Sequence, residues 1–229
     1  MAELRAFIGW DSREPEAYDV ARSSLLRHAT IDIDVHPIKL TDLVKENLFA
    51  RDVDPLASTE FTYSRFLTPH LAGFSGWALF FDCDFLWLDD IAPLLDFRDP
   101  DKAVFCVQHD YTPKETMKMD GQAQTAYPRK NWSSFMFFNC DHPSTQSLTT
   151  DTVNRETGAH LHRMQWAEDH EIGGLPVEFN WLEGWNTVDG DGQPRAVHFT
   201  RGGPWFDSWQ DVDFGDEWRA EFARIRGGG

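Results

Sequence analysis

Gly76-Trp-Ala-Leu-Phe-Phe-Asp-Cys-Asp-Phe-Leu-Trp-Leu88 is the stretch around which the rest of the chain organises. Residues 77–81 form an unbroken apolar run between a glycine and an aspartate, the pattern of a short strand covered on both faces in a mainly parallel sheet. Asp82-Cys83-Asp84 follows, wedged against a second apolar run at 85–88. Carboxylates in so apolar a setting are costly to desolvate unless an opposite charge or a set of hydrogen-bond donors meets them. A divalent cation that prefers hard oxygen ligands, Mn²⁺ or Mg²⁺, is one such partner. Arg65 or backbone amides are another.

The Asp-x-Asp pattern alone carries little weight, because this acidic chain has it at 32/34, 52/54, 82/84, 99/101, 189/191 and 211/213. Only the copy at 82/84 is held between two apolar runs, and the other five read as solvated surface. Upstream, residues 4–10 form an apolar strand ending at Asp11. Ser12-Arg-Glu-Pro15 then opens a helix with Tyr18, Ala21, Leu25 and Leu26 on one face. Residues 31–35 alternate with period two, as a half-buried strand does. Residues 59–71 read as a helix stopped by Gly73 and Gly76.

Downstream, the apolar runs 103–107 and 134–138 read as strands, and the polar segment 109–131 between them as a loop over the site. The composition turns helical from 145 to 171. From 173 onward glycine, proline and tryptophan cluster around one short strand at 196–198. The alternation of strands and helices predicts one α/β domain over 1–229, a sandwich whose mainly parallel central sheet is flanked by helices. In such sheets ligands gather outside the carboxyl ends of the strands, where Asp11 and Asp82 both fall.

The formal net charge of −17, from 38 acidic and 21 basic residues, repels nucleic acid and anionic membranes. It equally opposes any phosphate-bearing substrate unless a bound cation reverses the local sign. No apolar run approaches the roughly 20 residues of a transmembrane helix, and the N-terminus lacks the features of a signal peptide, so the cytoplasm is the expected compartment. Cys83, Cys106 and Cys140 are odd in number and lie in or beside apolar runs, which fits reduced, buried thiols.

His198 follows Ala196-Val197 and precedes Phe-Thr-Arg201-Gly202-Gly203-Pro-Trp205, where glycines allow a backbone to approach a phosphate. Beside two carboxylates it can complete a metal site, although a lone histidine near a strand is more often a packed one. Trp181, Trp185, Trp205 and Trp209 crowd this quarter of the chain; core packing accounts for most tryptophans, and carbohydrate contact is the lesser reading. Trp218, Phe222 and Ile225 make an amphipathic terminal helix expected to dock on its own domain.

Taken in order, Phe7-Ile-Gly-Trp-Asp11, Thr59-Glu-Phe-Thr-Tyr-Ser-Arg65, Leu79-Phe-Phe-Asp-Cys-Asp84, Ser133-Ser-Phe-Met-Phe-Phe-Asn139, Glu168-Asp-His-Glu-Ile172 and His198-Phe-Thr-Arg-Gly-Gly-Pro-Trp205 resemble the retaining glycosyltransferases of the family-8 type, with their GT-A fold. The resemblance implies that Asp82, Asp84 and His198 hold Mn²⁺ or Mg²⁺, and that the cation binds the diphosphate of a UDP-sugar whose hexosyl group passes to a glycan or other hydroxyl acceptor. It places Gly9, Trp10 and Asp11 at the uridine, Arg65 against the donor's charged part, Ser133 and Ser134 near the donor sugar, and Asp169 close to the anomeric carbon. Residues 1–110 become the nucleotide and metal half, and 111–229 the donor-sugar and acceptor half. The family's lysine shortly after the metal-binding histidine has no counterpart in Gly202-Gly203-Pro204, and Arg201 stands in for it. A non-catalytic sugar-nucleotide- or glycan-binding module of the same fold is the alternative. A phosphatase of the haloacid-dehalogenase kind fits less well, because its Asp-x-Asp belongs in the first strand.

Overall fold

Residues 77–81 lie in the middle of a six-stranded sheet, with Ala78 to Phe81 fully covered. A computed structural model describes residues 2–52, 54, 57–109 and 129–227. The strands are β1 (Leu4–Gly9), β2 (Ile33–Ile38), β3 (Trp77–Phe81), β4 (Phe85–Trp87), β5 (Val104–Val107), β6 (Phe135–Asn139), β7 (Ile172–Leu175), β8 (Trp181–Leu182) and β9 (Ala196–His198). The helices are α1 (Pro15–His28), α2 (Leu40–Lys45), α3 (Thr68–Leu71), α4 (Pro143–Gln146), α5 (Thr150–Arg155), α6 (Gly158–His162), α7 (Val188–Asp191) and α8 (Gly215–Gly227).

The large sheet has the order β2-β1-β3-β6-β5-β7, and every strand runs the same way except β6. Its interior is aromatic: Phe80, Phe81, Phe135, Phe137 and Phe138 are all fully buried. At about 1.5–3 kcal/mol per buried phenylalanine, these five contribute on the order of 10 kcal/mol, as much as a typical domain's net stability.

The topology gathers those ends. β1 and β3 are parallel with Ile8 beside Phe81, so Asp11 and Asp82 leave the sheet at one edge. β6 enters where β3 leaves, Phe135 beside Phe81, which brings Ser133 and Ser134 to the same edge. The amide of Asp82 donates to the Ser134 carbonyl at 3.0 Å. After Asp84 the chain joins a small second sheet, β4-β9-β8, in which Phe85 pairs with His198 and Leu182 lies beside His198. The amide of Phe199 donates to the Asp84 carbonyl at 2.9 Å, closing the two segments together.

α1 starts at Pro15 and buries Ala17, Tyr18, Ala21, Ser24 and Leu25, whereas Leu26, expected on the same face, is exposed because it lies about 100° around the helix from Leu25. α8 docks on it as expected: buried Glu221 accepts from Ser23 Oγ and Arg27 Nε, each at 2.7 Å, while Trp218 joins Val20, Leu86 and Phe199 in a second apolar cluster. No helix among the described residues is long and apolar enough to cross a membrane. All three cysteines are free and buried.

Several local expectations change. The 59–71 segment begins as turns and becomes helical only from Ser64, through a 3-10 turn (Ser64–Leu67) into α3. The helical stretch after 145 is three short helices and a 3-10 turn, broken where Thr149 and Thr157 cap new N-termini. Beyond 171 there are three strands rather than one; β7 and β8 escape notice because Ile-Gly-Gly-Leu and a two-residue bridge carry almost no alternation. The loop expected at 109–131 falls largely outside the described residues.

Candidate metal centre

Of the six Asp-x-Asp pairs, 82/84 is the one drawn inward; the other five are exposed or half-exposed. One ligand atom each from Asp82, Asp84 and His198 lies within 4.8 Å of the others. The three side chains arrive from two sheets: Asp82 and Asp84 from the β3–β4 link, His198 from the end of β9. His198 is 2% exposed and its ring stacks on Phe85 at 4.6 Å, so it has little freedom to turn.

Asp82 is gripped by Arg65, whose Nη1 donates to Oδ1 at 2.6 Å and also to the Ser133 carbonyl at 3.0 Å. This guanidinium is itself buried, lying over Phe61 and Phe80. Asp84 differs. Its buried Oδ1 has no well-formed hydrogen bond among the described residues, and His198 Nε2 faces it at ion-pair distance, 3.3 Å. Burial, the largest influence, raises the Asp84 carboxyl; the neighbouring His198, its own backbone amide and the charge of Arg65 outweigh it and hold the group below the usual carboxylate range. The space between Oδ1 and Nε2 therefore takes a positive charge, either a proton on the imidazole or a cation bound by both. Two carboxylates and an imidazole are a fitting donor set for Mn²⁺, and for Mg²⁺ with fewer nitrogen preferences.

Further residues crowd this edge. Asp11 is fully buried, accepting from Arg13 Nη2 at 2.7 Å, from the Arg13 amide and from the Glu60 amide. Burial again raises it, and these bonds bring it below its ordinary value. Trp10 is half-buried with Lys39 Nζ 4.8 Å from its ring centre. A Cβ on Gly9 would sit 2.6 Å from the Phe61 ring, so close packing alone requires glycine there. Ser133 Oγ is bonded to His162 Nδ1 at 2.8 Å, and Ser134 Oγ to the Asn131 carbonyl at 2.6 Å and to Asn180 at 3.0 Å. Both hydroxyls expected near the donor sugar thus have partners within the protein.

Arg201 pairs with buried Glu183 at 2.9 Å and lies over Trp209. Gly202 has φ +126°, and Gly203 packs directly under the Trp205 ring. Asp169 stands apart: it precedes β7 in a 3-10 turn, its side chain is 87% exposed, and it pairs with Arg129. Trp181, grouped with possible sugar contacts, is 1% exposed and belongs to the core.

Three residues of the site have no sequence signal. Glu14 is raised to about 7, chiefly by burial and then by the negative charges of Asp84 and Asp11. It accepts from Trp205 Nε1 at 3.1 Å. Asn180 hydrogen-bonds His198, and His162 backs Ser133. A lone Glu before a helix, Asn in a loop or His at the end of a five-residue helix carries no periodicity or spacing, so only the fold assembles them.

The fold is that of the GT-A glycosyltransferases. Over 95% of its length the chain superposes on the glycosyltransferase GlyE of Streptococcus pneumoniae TIGR4 with a TM-score of 0.63 at 13% identity, spanning 59% of that protein. It matches the galactosyltransferase LgtC, solved with donor and acceptor sugar analogs, over 96% of this chain and 95% of that one, with a TM-score of 0.56 at 11% identity. No family model matches the sequence. The chain belongs to the family of the Arabidopsis thaliana protein CDI, to which it is 54% identical over 221 residues, 95% of this chain and 85% of the relative.

Proposed function

We propose that this protein is a metal-dependent glycosyltransferase that moves a hexosyl group from a UDP-sugar to a glycan or other hydroxyl acceptor, with retention of configuration. The observation that carries the reading is the convergence of Asp82, Asp84 and His198, with the buried Oδ1 of Asp84 facing His198 Nε2, at the carboxyl edge of a GT-A sheet. Asp82, Asp84 and His198 would hold Mn²⁺ or Mg²⁺. When bound, the cation supplies Lewis acidity toward the departing nucleotide diphosphate.

The chain's own groups set the rest. Arg65 holds Asp82 Oδ1 and neutralises it in the metal-free protein, so that a cation shares this carboxylate with the guanidinium. Gly9 to Asp11 border the nucleotide, Asp11 by holding Arg13 and the Glu60 amide in place. Arg201, already compensated by Glu183, offers the diphosphate a weaker charge than the lysine it replaces. Asp169 approaches the donor hydroxyls only if Arg129 moves with it. In this reading residues 1–110 form the nucleotide and metal half and 111–229 the sugar half.

A binding module without turnover is the second reading, favoured by the exposure of Asp169 and the engagement of both serines. Release of UDP from a panel of UDP-sugars, with Mn²⁺ or EDTA, compared with Asp84→Ala, decides between them. Turnover that EDTA and the substitution both abolish supports the transferase. Donor binding that needs Mn²⁺ but yields no UDP with acceptors supplied supports the module, and donor binding indifferent to EDTA overturns the metal centre.

A further inference from the structure

His198 is held by a chain of hydrogen bonds that can run in only one direction. It starts at the Asn131 carbonyl, which can only accept, so the single hydroxyl hydrogen of Ser134 is committed to it at 2.6 Å. Ser134 Oγ must then accept from its other neighbour, 3.0 Å away, which has to be the amide nitrogen of Asn180. That turns the Asn180 carbonyl oxygen toward His198 Nδ1 at 2.9 Å. An oxygen there can only accept, so Nδ1 carries a hydrogen, and with a cation in place of a proton between Nε2 and Asp84 Oδ1, 3.3 Å apart, Nε2 carries the lone pair. Asn180 is fully buried, His198 is 2% exposed and Ser134 5% exposed, so water does not compete for these bonds. The orientation of the amide follows from the chemistry of the chain's first acceptor and needs no other assignment.

We infer that Asn180 is a positioning residue that locks His198 in the tautomer able to ligate a cation, and that Ser134 acts through Asn180 rather than by touching a substrate. The inference rests on the metal centre proposed above; without a cation the Asn180 oxygen at Nδ1 and Asp84 Oδ1 at Nε2 compete for the one hydrogen of the neutral ring. Outer partners of ligating histidines change metal affinity by about 10- to 100-fold when removed. In the Ser134→Ala protein the amide of Asn180 is released from its direction, can turn its nitrogen toward Nδ1, and then favours the wrong tautomer. Asn180→Asp offers His198 only acceptor oxygens, so it enforces the Nδ1–H form whatever residue 134 is.

The test uses four full-length proteins: wild type, Ser134→Ala, Asn180→Asp and the double variant. Two readouts are taken, Mn²⁺ affinity by electron paramagnetic resonance titration and the His198 tautomer by ¹⁵N chemical shifts at alkaline pH of the same four metal-free proteins each also carrying Asp84→Ala, which removes the acceptor facing Nε2. Expected are a predominant Nδ1–H form in wild type, a mixture and about 10-fold or greater loss of Mn²⁺ affinity in Ser134→Ala, and recovery of both in the double variant. A merely structural role for Ser134 predicts no such recovery, since the added carboxylate leaves one oxygen facing Ala at position 134. An Nε2–H form in wild type, wild-type behaviour in Ser134→Ala, or a double variant as weak as Ser134→Ala each overturns the inference. If wild type shows the Nδ1–H form yet binds no Mn²⁺, the tautomer lock stands as a structural device, while the metal-centre reading and the ligating role fail together.

Discussion

Replacing Arg65 by methionine probes both the stability and the function of the site. The Arg65–Asp82 pair is 2.6 Å long with side chains 6% and 13% exposed, and the guanidinium also holds the Ser133 carbonyl. Methionine keeps an apolar stem over Phe61 and Phe80, so the change removes charge more than packing. Breaking one side of a buried pair costs about 3–5 kcal/mol, because the remaining charge stays desolvated. For a chain of this size that is a fall in Tm of about 10 °C. A cation then changes the comparison. A ligand that binds only the folded state adds about 2.7 kcal/mol at a hundredfold excess over its Kd. The lost guanidinium is the charge that competes with a cation for Asp82, so Mn²⁺ binds the variant more tightly and must raise its Tm by more than it raises that of wild type. Circular-dichroism melts of both proteins in EDTA and in matched Mn²⁺ measure the two effects. A fall in EDTA of less than about 2 °C refutes the buried-pair reasoning. Equal Mn²⁺ shifts in the two proteins refute the idea that Arg65 and the cation share Asp82.

Glu14 titrates in the folded protein near 7 against an ordinary 4.5, so its contribution to stability is complete below about 4.5 and is lost as pH rises through 7. The loss is roughly 3 kcal/mol at most; urea titrations should show the slope in wild type, its absence in Glu14→Gln, and its suppression by Mn²⁺, and a wild type flat between pH 5 and 8 would contradict the burial argument. His109 and His162 are pushed the other way, each down to about 3, by burial first and then by the charges of His198 and Arg65 respectively. Stability from these two is present above about 6.5 and disappears as pH falls toward 3, by about 2 kcal/mol each at pH 5; His162→Asn should flatten about half of that acid limb, and an unchanged limb would show that its burial is not what depresses it. Gly9→Ala forces a methyl into the Phe61 ring and should cost about 1–3 kcal/mol of stability. Lowered donor affinity with an unchanged melting curve would instead place Gly9 at the nucleotide and not in the packing.

The central strand and the acidic pair after it were legible because burial on both faces demands an unbroken apolar run, and residues 77–81 supply one. Helix α1 was legible for a similar reason, its proline start and its buried face being local patterns. β7 was not, because Gly173 is there to make room for the Phe105 ring, a contact between strands far apart in sequence. The roles of Ser133 and Ser134 show the same limit. Their position at the start of β6 follows from the sequence, but the partners of their hydroxyls, His162 and Asn180, come from a loop-rich half with no period to read. Residue type and strand position are written locally. The direction of a hydrogen bond is written only in three dimensions.

The distribution of charge at this edge ties these strands of reasoning together. Asp11 has Arg13, Asp82 has Arg65, Glu183 has Arg201 and Asp169 has Arg129, each pair within ion-pair distance. Each of these four carboxylates thus has a fixed positive partner. Asp84 and Glu14 have none: the first faces an imidazole and the second an indole N–H. The raised Glu14 carboxyl registers that shortage directly, since Asp84 is the leading charge acting on it after burial. Two half-buried carboxylates left without an arginine in the same edge of the sheet, one of them with a buried oxygen that has no well-formed hydrogen bond, hold open a place for mobile positive charge. On the proposed reading a divalent ion occupies it, and its remaining charge is what lets a protein of net charge −17 receive a diphosphate. Supplying a fixed charge there, as in Glu14→Lys, should therefore raise stability in EDTA while abolishing Mn²⁺ binding, both read from the same pair of melts; Mn²⁺ binding that survives the lysine would put the cation somewhere else.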